Sequence, residues 1–380
     1  MGNGRGIMNN ASIKGNNMSA WMIYGATGYT GRLLVEEAVK RGHNPIIAGR
    51  SGLKLKAIAD QYGLDYTVFD LSNPAQVAQQ LRQHAIVAVL HVAGPFIHTA
   101  QPMVMACLEV GAHYLDITGE ISVYEALFAL DEQAKQAGIA ILPGVGFDIV
   151  PSDCLCKYVS AQCPNATHLE VVISALNITE SDIGMTAGTL KSFMEMLPTG
   201  SRIRRNGKLQ PIELGSLSRQ IHMPHGHFSA MAIPWGDVST AYRTTGIPNI
   251  TAYMVTPQSQ INALRLMGYP LQWMLKFDPL RGWLGGQIDR LIPGPSENTR
   301  QTGRTYVYAR AEDADGFFAE AWLECVEGYR FTAITGILAV ERILTGKYVG
   351  ALTPAGAFGA DFVLEVDGSY RFDVLPEVRI

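Results

Sequence analysis

One short run, Gly25-Ala26-Thr27-Gly28-Tyr29-Thr30-Gly31, constrains this chain more than any other feature. Three glycines at i, i+3 and i+6 follow the apolar tetrapeptide Trp21–Tyr24. After them comes a helical pattern over residues 32–41, in which Leu34, Val35 and Ala38 make one buried stripe and Gly42 supplies a C-terminal cap. Glycine spacing alone is a weak signal, but a strand before it and a helix after it give it a mechanism. A turn without Cβ atoms lets an anion approach the unpaired N–H groups and the positive dipole end of the helix. The run is therefore expected to bind the pyrophosphate of a dinucleotide. Gly25, Gly28 and Gly31 form its backbone, and Thr27, Tyr29 and Thr30 add hydroxyls. An ordinary strand-to-helix turn is the plain alternative.

The pattern then repeats. Strands at 45–48, 66–70, from Ile86, at 114–116 and at 140–143 alternate with helices. These lie at 53–62 (ended by Gly63), after Ser72-Asn73-Pro74, near 102–110 and at 123–136. Such alternation with short connections predicts an α/β fold, a doubly wound Rossmann domain whose parallel sheet is covered by helices on both faces. After Pro151 the rhythm changes. Segments 169–173, 252–255, 305–309 and 319–324 read as strands without intervening helices, which predicts an α+β domain on a mixed or antiparallel sheet. Residues 332–344 are apolar nearly all round, so a buried helix is expected there, capped by Gly346 and returning to the first domain.

A chain of 380 residues exceeds what one core usually organises. The expected division is a disordered tail over 1–19 and a dinucleotide domain over 20–150, joined by the returning helix at 331–346. A substrate or dimerisation domain follows over 151–330, and a C-terminal segment over 347–380. The tail is rich in Gly and Asn and has no apolar run, so it is neither signal peptide nor helix, and Gly6 stands where a myristoylation motif wants Ser or Thr. No segment supplies the roughly 18 apolar residues of a membrane span. A net charge of -4 gives no electrostatic case for nucleic acid. Cys107, Cys154, Cys156, Cys163 and Cys325 are odd in number and show no zinc-ligand spacing, which points to reduced thiols in a cytoplasmic protein.

The end of the second strand selects the dinucleotide. An NAD site places Asp or Glu there for the ribose hydroxyls, whereas this chain has Gly49-Arg50-Ser51. A guanidinium pairs with a 2′-phosphate that a carboxylate would repel, so Arg50 and Ser51 favour NADP over NAD. A solvated loop arginine is the alternative. Asp70 and Leu71, ending the third strand, are expected beside the adenine. Ala93, Gly94, Pro95 and Phe96, ending the fourth, are expected on the nicotinamide side.

These residues carry a resemblance. GATGYTG (25–31), AGRS (48–51), HVAGPF (91–96), HYLDITGE (113–120) and GVGFDIVPSD (144–153) resemble the saccharopine dehydrogenase-like oxidoreductases, nearest to their trans-acting enoyl reductase branch. The likeness continues through GTLKS (188–192), GPSENTR (294–300) and TPAGAFG (353–359). It implies an NADP-binding Rossmann domain, a second α+β domain and hydride transfer in the cleft between them. For the enoyl reductase branch it implies reduction of a carbon–carbon double bond on a thioester-bound polyketide or lipid chain.

Enoyl reduction needs hydride at one carbon, support for the developing enolate oxygen and a proton for the other carbon. Tyr114, Asp116, Thr118 and Glu120 lie near one strand end, and Phe147, Asp148 and Asp153 follow another. Tyr114 or Asp148 is the candidate proton donor, with a structural role open for each; Asp153 has the residue type to cap the following helix. Residues 188–192 are a candidate helix start whose N–H groups, with Thr189 or Lys191, hold an oxyanion, against a solvated lysine. Cys154 and Cys156 flank a helix start that favours a thiolate, against buried inert thiols. His222, His225 and His227 lack zinc-enzyme spacing, so a polar loop without metal is expected.

Arg202, Arg204, Arg205 and Lys208 form a basic loop suited to phosphopantetheine or coenzyme A, or simply a solvated cluster. The amphipathic stretch from Ala263 to Leu284 is a candidate for an acyl tunnel, peripheral membrane contact, a core helix or a homodimer helix. The expected substrate is a small-molecule or carrier-bound acyl group.

Three rivals stand against this function. A short-chain dehydrogenase needs Tyr-x-x-x-Lys, and none of the 15 tyrosines has lysine four positions on. A saccharopine-type amino-acid dehydrogenase needs arginines converging on the cleft to clamp carboxylates. A non-catalytic, lipid-associated NADP-binding scaffold is the third.

Overall fold

The computed structural model describes residues 20–176, 200–275, 277 and 294–375. The tail at 1–19 and residues 188–192, with Thr189 and Lys191, lie outside these residues.

The first sheet begins with β1 (Trp21–Tyr24), every side chain of which is buried. Helix α1 (Tyr29–Lys40) then starts three residues earlier than periodicity predicts, with Gly28 as its N-cap. The series continues through β2 (Ile46–Gly49), α2 (Gly52–Tyr62), β3 (Tyr66–Val68), α3 (Pro74–Gln83), β4 (Ala88–His91), α4 (Phe96–Val110) and β5 (His113–Asp116). Next come α5 (Ile121–Phe128), α6 (Asp131–Ala137) and β6 (Ala140–Leu142), so the helix expected at 123–136 is two, broken at Ala129 and Leu130. Asn73 caps α3 through its side chain, and Gly63 ends α2 in the left-handed region, as residue type dictates. Helix α4 departs from the local signal. Pro102 suggests a first turn, yet the helix starts at Phe96, because a carboxylate 24 residues away caps it there.

The second region opens with α7 (Val150–Gln162), β7 (His168–Leu176) and two hairpins that periodicity does not mark. They are β8 (Ser201–Arg205) with β9 (Lys208–Ile212), and β10 (Ser218–Met223) with β11 (Gly226–Ala232). Then follow α8 (Asp237–Thr245), β12 (Asn249–Val255), α9 (Gln258–Leu275), α10 (Glu297–Thr302), β13 (Arg304–Glu312) and β14 (Phe318–Val326). Strands here are therefore separated by helices more often than the sequence suggests. Finally α11 (Gly328–Thr345), β15 (Gly350–Ala351), α12 (Pro354–Phe358) and β16 (Tyr370–Phe372) end the described chain.

The first sheet has seven parallel strands in the order β15-β6-β5-β4-β1-β2-β3. The second is mixed, with β12 and β7 parallel inside an otherwise antiparallel sheet. One face of β13 and β14 carries Val307, Ala309, Ala311, Ala319, Ala321 and Leu323. That face shares a single core with α7, α11 and the α1 stripe. Within α11, Phe331, Ile337, Val340 and Ile343 are buried, each contributing about 1.5–3 kcal/mol. Residues after α11 divide between the sheets: β15 extends the parallel sheet beside β6, and β16 pairs with β14.

Candidate functional site

Strand β1 lies between β2 and β4, so chain connections leave it towards opposite sides, and the crevice beyond its carboxyl end is where such sheets bind ligands. The glycine turn fills that position. Gly25 has φ +99° and donates to the Ala48 carbonyl at 2.8 Å; a Cβ there would lie 2.8 Å from the Ala93 nitrogen. A Cβ on Gly31 would lie 2.3 Å from the Gly25 carbonyl. Gly28 is exposed, and α1 carries neither a side-chain cap nor an acid in its first turn. An anion is the group this helix end accepts. Thr27 and Thr30 are half-buried beside it, without side-chain partners among the described residues. The Tyr29 hydroxyl is already engaged, donating to the Pro295 carbonyl at 2.7 Å.

Arg50 is exposed, with no hydrogen bond or ion pair among the described residues, and Ser51 is the N-cap of α2 without a side-chain bond. A guanidinium, a hydroxyl and a second helix N-terminus therefore meet at the end of β2, a set of donors that suits a phosphate. Asp70 is exposed and accepts from both the hydroxyl and the N–H of Ser72. These bonds hold its carboxyl below the usual range, and the Arg50 charge adds to them. Leu71 is half-buried next to it. Beneath them Tyr24 donates to the Phe69 carbonyl, and burial pushes its phenol up to about 12.

The β4 end is braced by contacts that sequence reasoning did not foresee. Glu120 accepts from the Phe96 and Ile97 N–H groups at 2.9 and 2.8 Å, placing a buried carboxylate on the α4 N-terminus. The Thr99 hydroxyl donates to the Ala93 carbonyl at 2.7 Å and meets His91 Nε2 at 3.1 Å. Burial pushes the His91 ring down to about 3, so the imidazole is neutral, and its Nδ1 has no partner among the described residues. No local pattern announces these contacts, since Glu120 acts across 24 residues of sequence. Ala93 and Pro95 are half-buried and Gly94 exposed. Phe96 instead turns its ring into the core against His91 and gives its N–H to Glu120.

The acids beyond β5 and β6 separate by partner. Tyr114 is wholly buried and donates to Asp116 at 2.7 Å; burial first, then the Asp116 charge, raises the phenol well above its usual range. It does not reach the cleft, which removes it as a proton donor. Asp116 also accepts from the Thr118 and Gly144 N–H groups, and burial pushes it up to about 6. Asp148 is different. It is half-buried in the β6 loop, its carboxyl has no hydrogen-bond partner among the described residues, and burial pushes it to about 6. A Cβ on Gly119, beyond β5, would lie 3.0 Å from its Oδ2, so the two loops meet at this carboxyl. Asp153 does not cap its helix. It lies inside α7 and accepts from Thr244 at 2.5 Å and the Ala355 N–H at 2.8 Å, tying distant segments together.

The remaining candidates take other positions. Cys154 and Cys156 are buried within α7, and burial raises both thiols far above their usual range, the opposite of a helix-start thiolate. His222 and His227 stack across the β10–β11 hairpin with ring centres 4.2 Å apart, and His225 meets Tyr306 edge-on. Arg204 is no loop cation: it is buried, bonding Val238 and Gly207 carbonyls and Glu125 at 2.6–2.8 Å. Arg205 and Lys208 stay exposed across the β8–β9 turn. In α9, Leu266, Met267, Trp273 and Met274 are exposed; the rest of the stretch to Leu284, apart from Phe277, lies outside the described residues. No described helix is long and apolar enough to cross a membrane.

Comparison with known proteins agrees with this geometry. Residues 21–142 match the family model of the saccharopine dehydrogenase NADP binding domain. The chain is 28% identical over 253 residues to the human saccharopine dehydrogenase-like oxidoreductase, covering 59% of this chain and 58% of that protein. It is 34% identical over 140 residues to the trans-acting enoyl reductase of Mycobacterium ulcerans (strain Agy99), covering 35% and 33% of the two chains. Thus it spans a little over half the length of the first of these relatives. Apo saccharopine dehydrogenase (L-Glu forming) from Saccharomyces cerevisiae shares the fold with TM-score 0.60 at 14% identity, over 92% of this chain and 96% of that one.

Proposed function

We propose that this chain, whose residues 21–142 belong to the saccharopine dehydrogenase NADP-binding domain family, is an NADP-dependent oxidoreductase reducing the double bond of an unsaturated acyl or polyketide-type thioester. The observation that carries it is one sheet edge holding both an open phosphate turn, after β1, and an unpartnered carboxyl group, after β6. Bound NADPH supplies the hydride. The backbone of 25–31 holds the pyrophosphate, and Arg50 with Ser51 receives the 2′-phosphate. Residues 93–95, held by Thr99 through the Ala93 and Pro95 carbonyls, give the nicotinamide side a rigid wall. Asp148 delivers the proton to the carbon next to the thioester carbonyl, since a carboxyl titrating near 6 keeps some of its protons close to neutral pH. Support for the enolate oxygen stays assigned to residues 188–192 with Lys191.

A carrier-bound substrate meets exposed Arg205 and Lys208, and the α9 side chains offer apolar surface to a lipid or to a second copy. Stopped-flow NADPH oxidation with a panel of enoyl thioesters, and with one amino-dicarboxylate supplied together with an aldehyde so that their imine can accept the hydride, tests the whole reading. Oxidation with at least one thioester is expected. Oxidation with the amine–aldehyde pair alone assigns a saccharopine-type reaction instead, and binding of NADPH without turnover assigns a scaffold.

A further inference from the structure

The segment 294–300, Gly-Pro-Ser-Glu-Asn-Thr-Arg, stands out in the sequence, yet the chemistry above makes no use of it. It leads through α10 into β13 of the second sheet, and it rests on the first residue of α1. While the Tyr29 hydroxyl donates to the Pro295 carbonyl, Arg300 Nη1 donates to that hydroxyl at 2.8 Å and to the same carbonyl at 2.9 Å. The Arg300 guanidinium lies 5.7 Å from the Tyr29 ring centre, and Tyr329 of α11 meets that ring edge-on at 5.2 Å. Arg300 is half-buried, and its Nε and Nη2 have no partner among the described residues. Glu297, on the same helix, accepts from Gln301 instead. A cation with unspent donors is therefore held on the side chain of Tyr29, the first residue of the helix whose Gly28 N-cap has no side-chain cap.

We propose that Arg300, carried by the second domain, clamps the pyrophosphate of the dinucleotide held on the glycine turn. This role rests on the NADP reading above. Nη1 stays on Tyr29, which aims the planar fork, while Nε and Nη2 face phosphate oxygens, a geometry a guanidinium matches in bidentate fashion. Cofactor binding then ties the second domain to the first, because the clamp and the turn belong to different sheets.

Calorimetric titration of the full chain with NADP+ and with 2′-AMP tests this, because 2′-AMP carries the 2′-phosphate but no pyrophosphate. Arg300→Gln is expected to weaken NADP+ binding about tenfold or more, and 2′-AMP binding less than about twofold. Tyr29→Phe keeps the ring and loses the anchor, so NADP+ should weaken about threefold with 2′-AMP unchanged. Arg50→Gln should weaken both ligands. Equal NADP+ affinity in Arg300→Gln and the parent overturns the clamp and leaves the cofactor site standing. Parallel loss of both ligands in Arg300→Gln marks a merely structural residue and also overturns it. Failure of the parent to bind NADP+ overturns the cofactor reading itself.

Discussion

Along the carboxyl edge of the parallel sheet, the ends of β1, β2 and β3 are made of backbone and exposed polar groups. The ends of β4, β5 and β6 are braced by buried side chains that hold one another, with the half-buried Asp148 carboxyl beside them. In the first half Gly28 and Arg50 are open to solvent, and two helix N-termini lack side-chain caps. In the second, His91, Asp116 and Glu120 are buried, and Glu120 itself occupies the α4 N-terminus. The helix end that keeps its anion site is the one no carboxylate fills. The same contrast recurs between two acids. Burial pushes Asp116 and Asp148 alike to about 6, but Asp116 is consumed by Tyr114, Thr118 and Gly144 while Asp148 has no such partners. Partners, rather than acidity, distinguish the candidate proton donor from the brace.

The largest effect should come from breaking that distinction. Asp148→Asn is expected to lower turnover by about 10²–10³-fold while leaving NADPH affinity unchanged, whereas Tyr114→Phe should cost little turnover. The parent's turnover should fall as pH rises through about 6, where Asp148 gives up its proton, and the Asn variant should lose that dependence. An unchanged pH profile in Asp148→Asn would remove the acid from the mechanism. On the open half, Arg50→Asp should weaken NADPH binding roughly 30–100-fold and NADH binding far less, as lost pairing and added repulsion act only on the 2′-phosphate. Equal losses for both dinucleotides would sink the assignment.

A smaller effect concerns stability and sharpens how burial without partners behaves. Asp237, at the start of α8, is fully buried, with neither carboxyl oxygen in a well-formed hydrogen bond among the described residues. Burial pushes it up to about 8, with the nearby Ser152 hydroxyl opposing and the Asp153 and Asp148 charges adding. Its folded value lies above the unfolded value of about 3.9, so between these limits the native state binds more protons and stability falls as pH rises. Asp237→Asn should therefore be more stable than the parent at pH 9, with the difference closing towards pH 4. Urea melts across that range measure it, and parallel curves would show that the charge is not what burial penalises.

Much of the open half was legible because its signals are local. Gly25, Gly28 and Gly31 announce a turn through residue type alone, Gly63 ends α2, and Asn73 caps α3. The closed half was not legible, because its decisive contacts span 24 to 28 residues of sequence. Glu120 reaches Phe96 and Asp116 reaches Gly144, and a search for strands and helices weighs neither. That is why Tyr114 reads as a cleft residue but proves to be an internal donor, and why α4 starts six residues before the proline that suggests its beginning.

The sequence by itself determined the doubly wound sheet and the glycine turn, and set the expectation of NADP. Each follows from short-range requirements: strand–helix periodicity, backbone without Cβ, and a guanidinium where an acid would repel. Only the tertiary structure decided which ionisable groups keep a proton to give. Only it, too, decided that Asp153 and Arg204 are internal ties, and that the 294–300 segment comes to rest on Tyr29. Those outcomes depend on burial and on partners from distant strands, and both exist only once the two sheets have packed on their shared core.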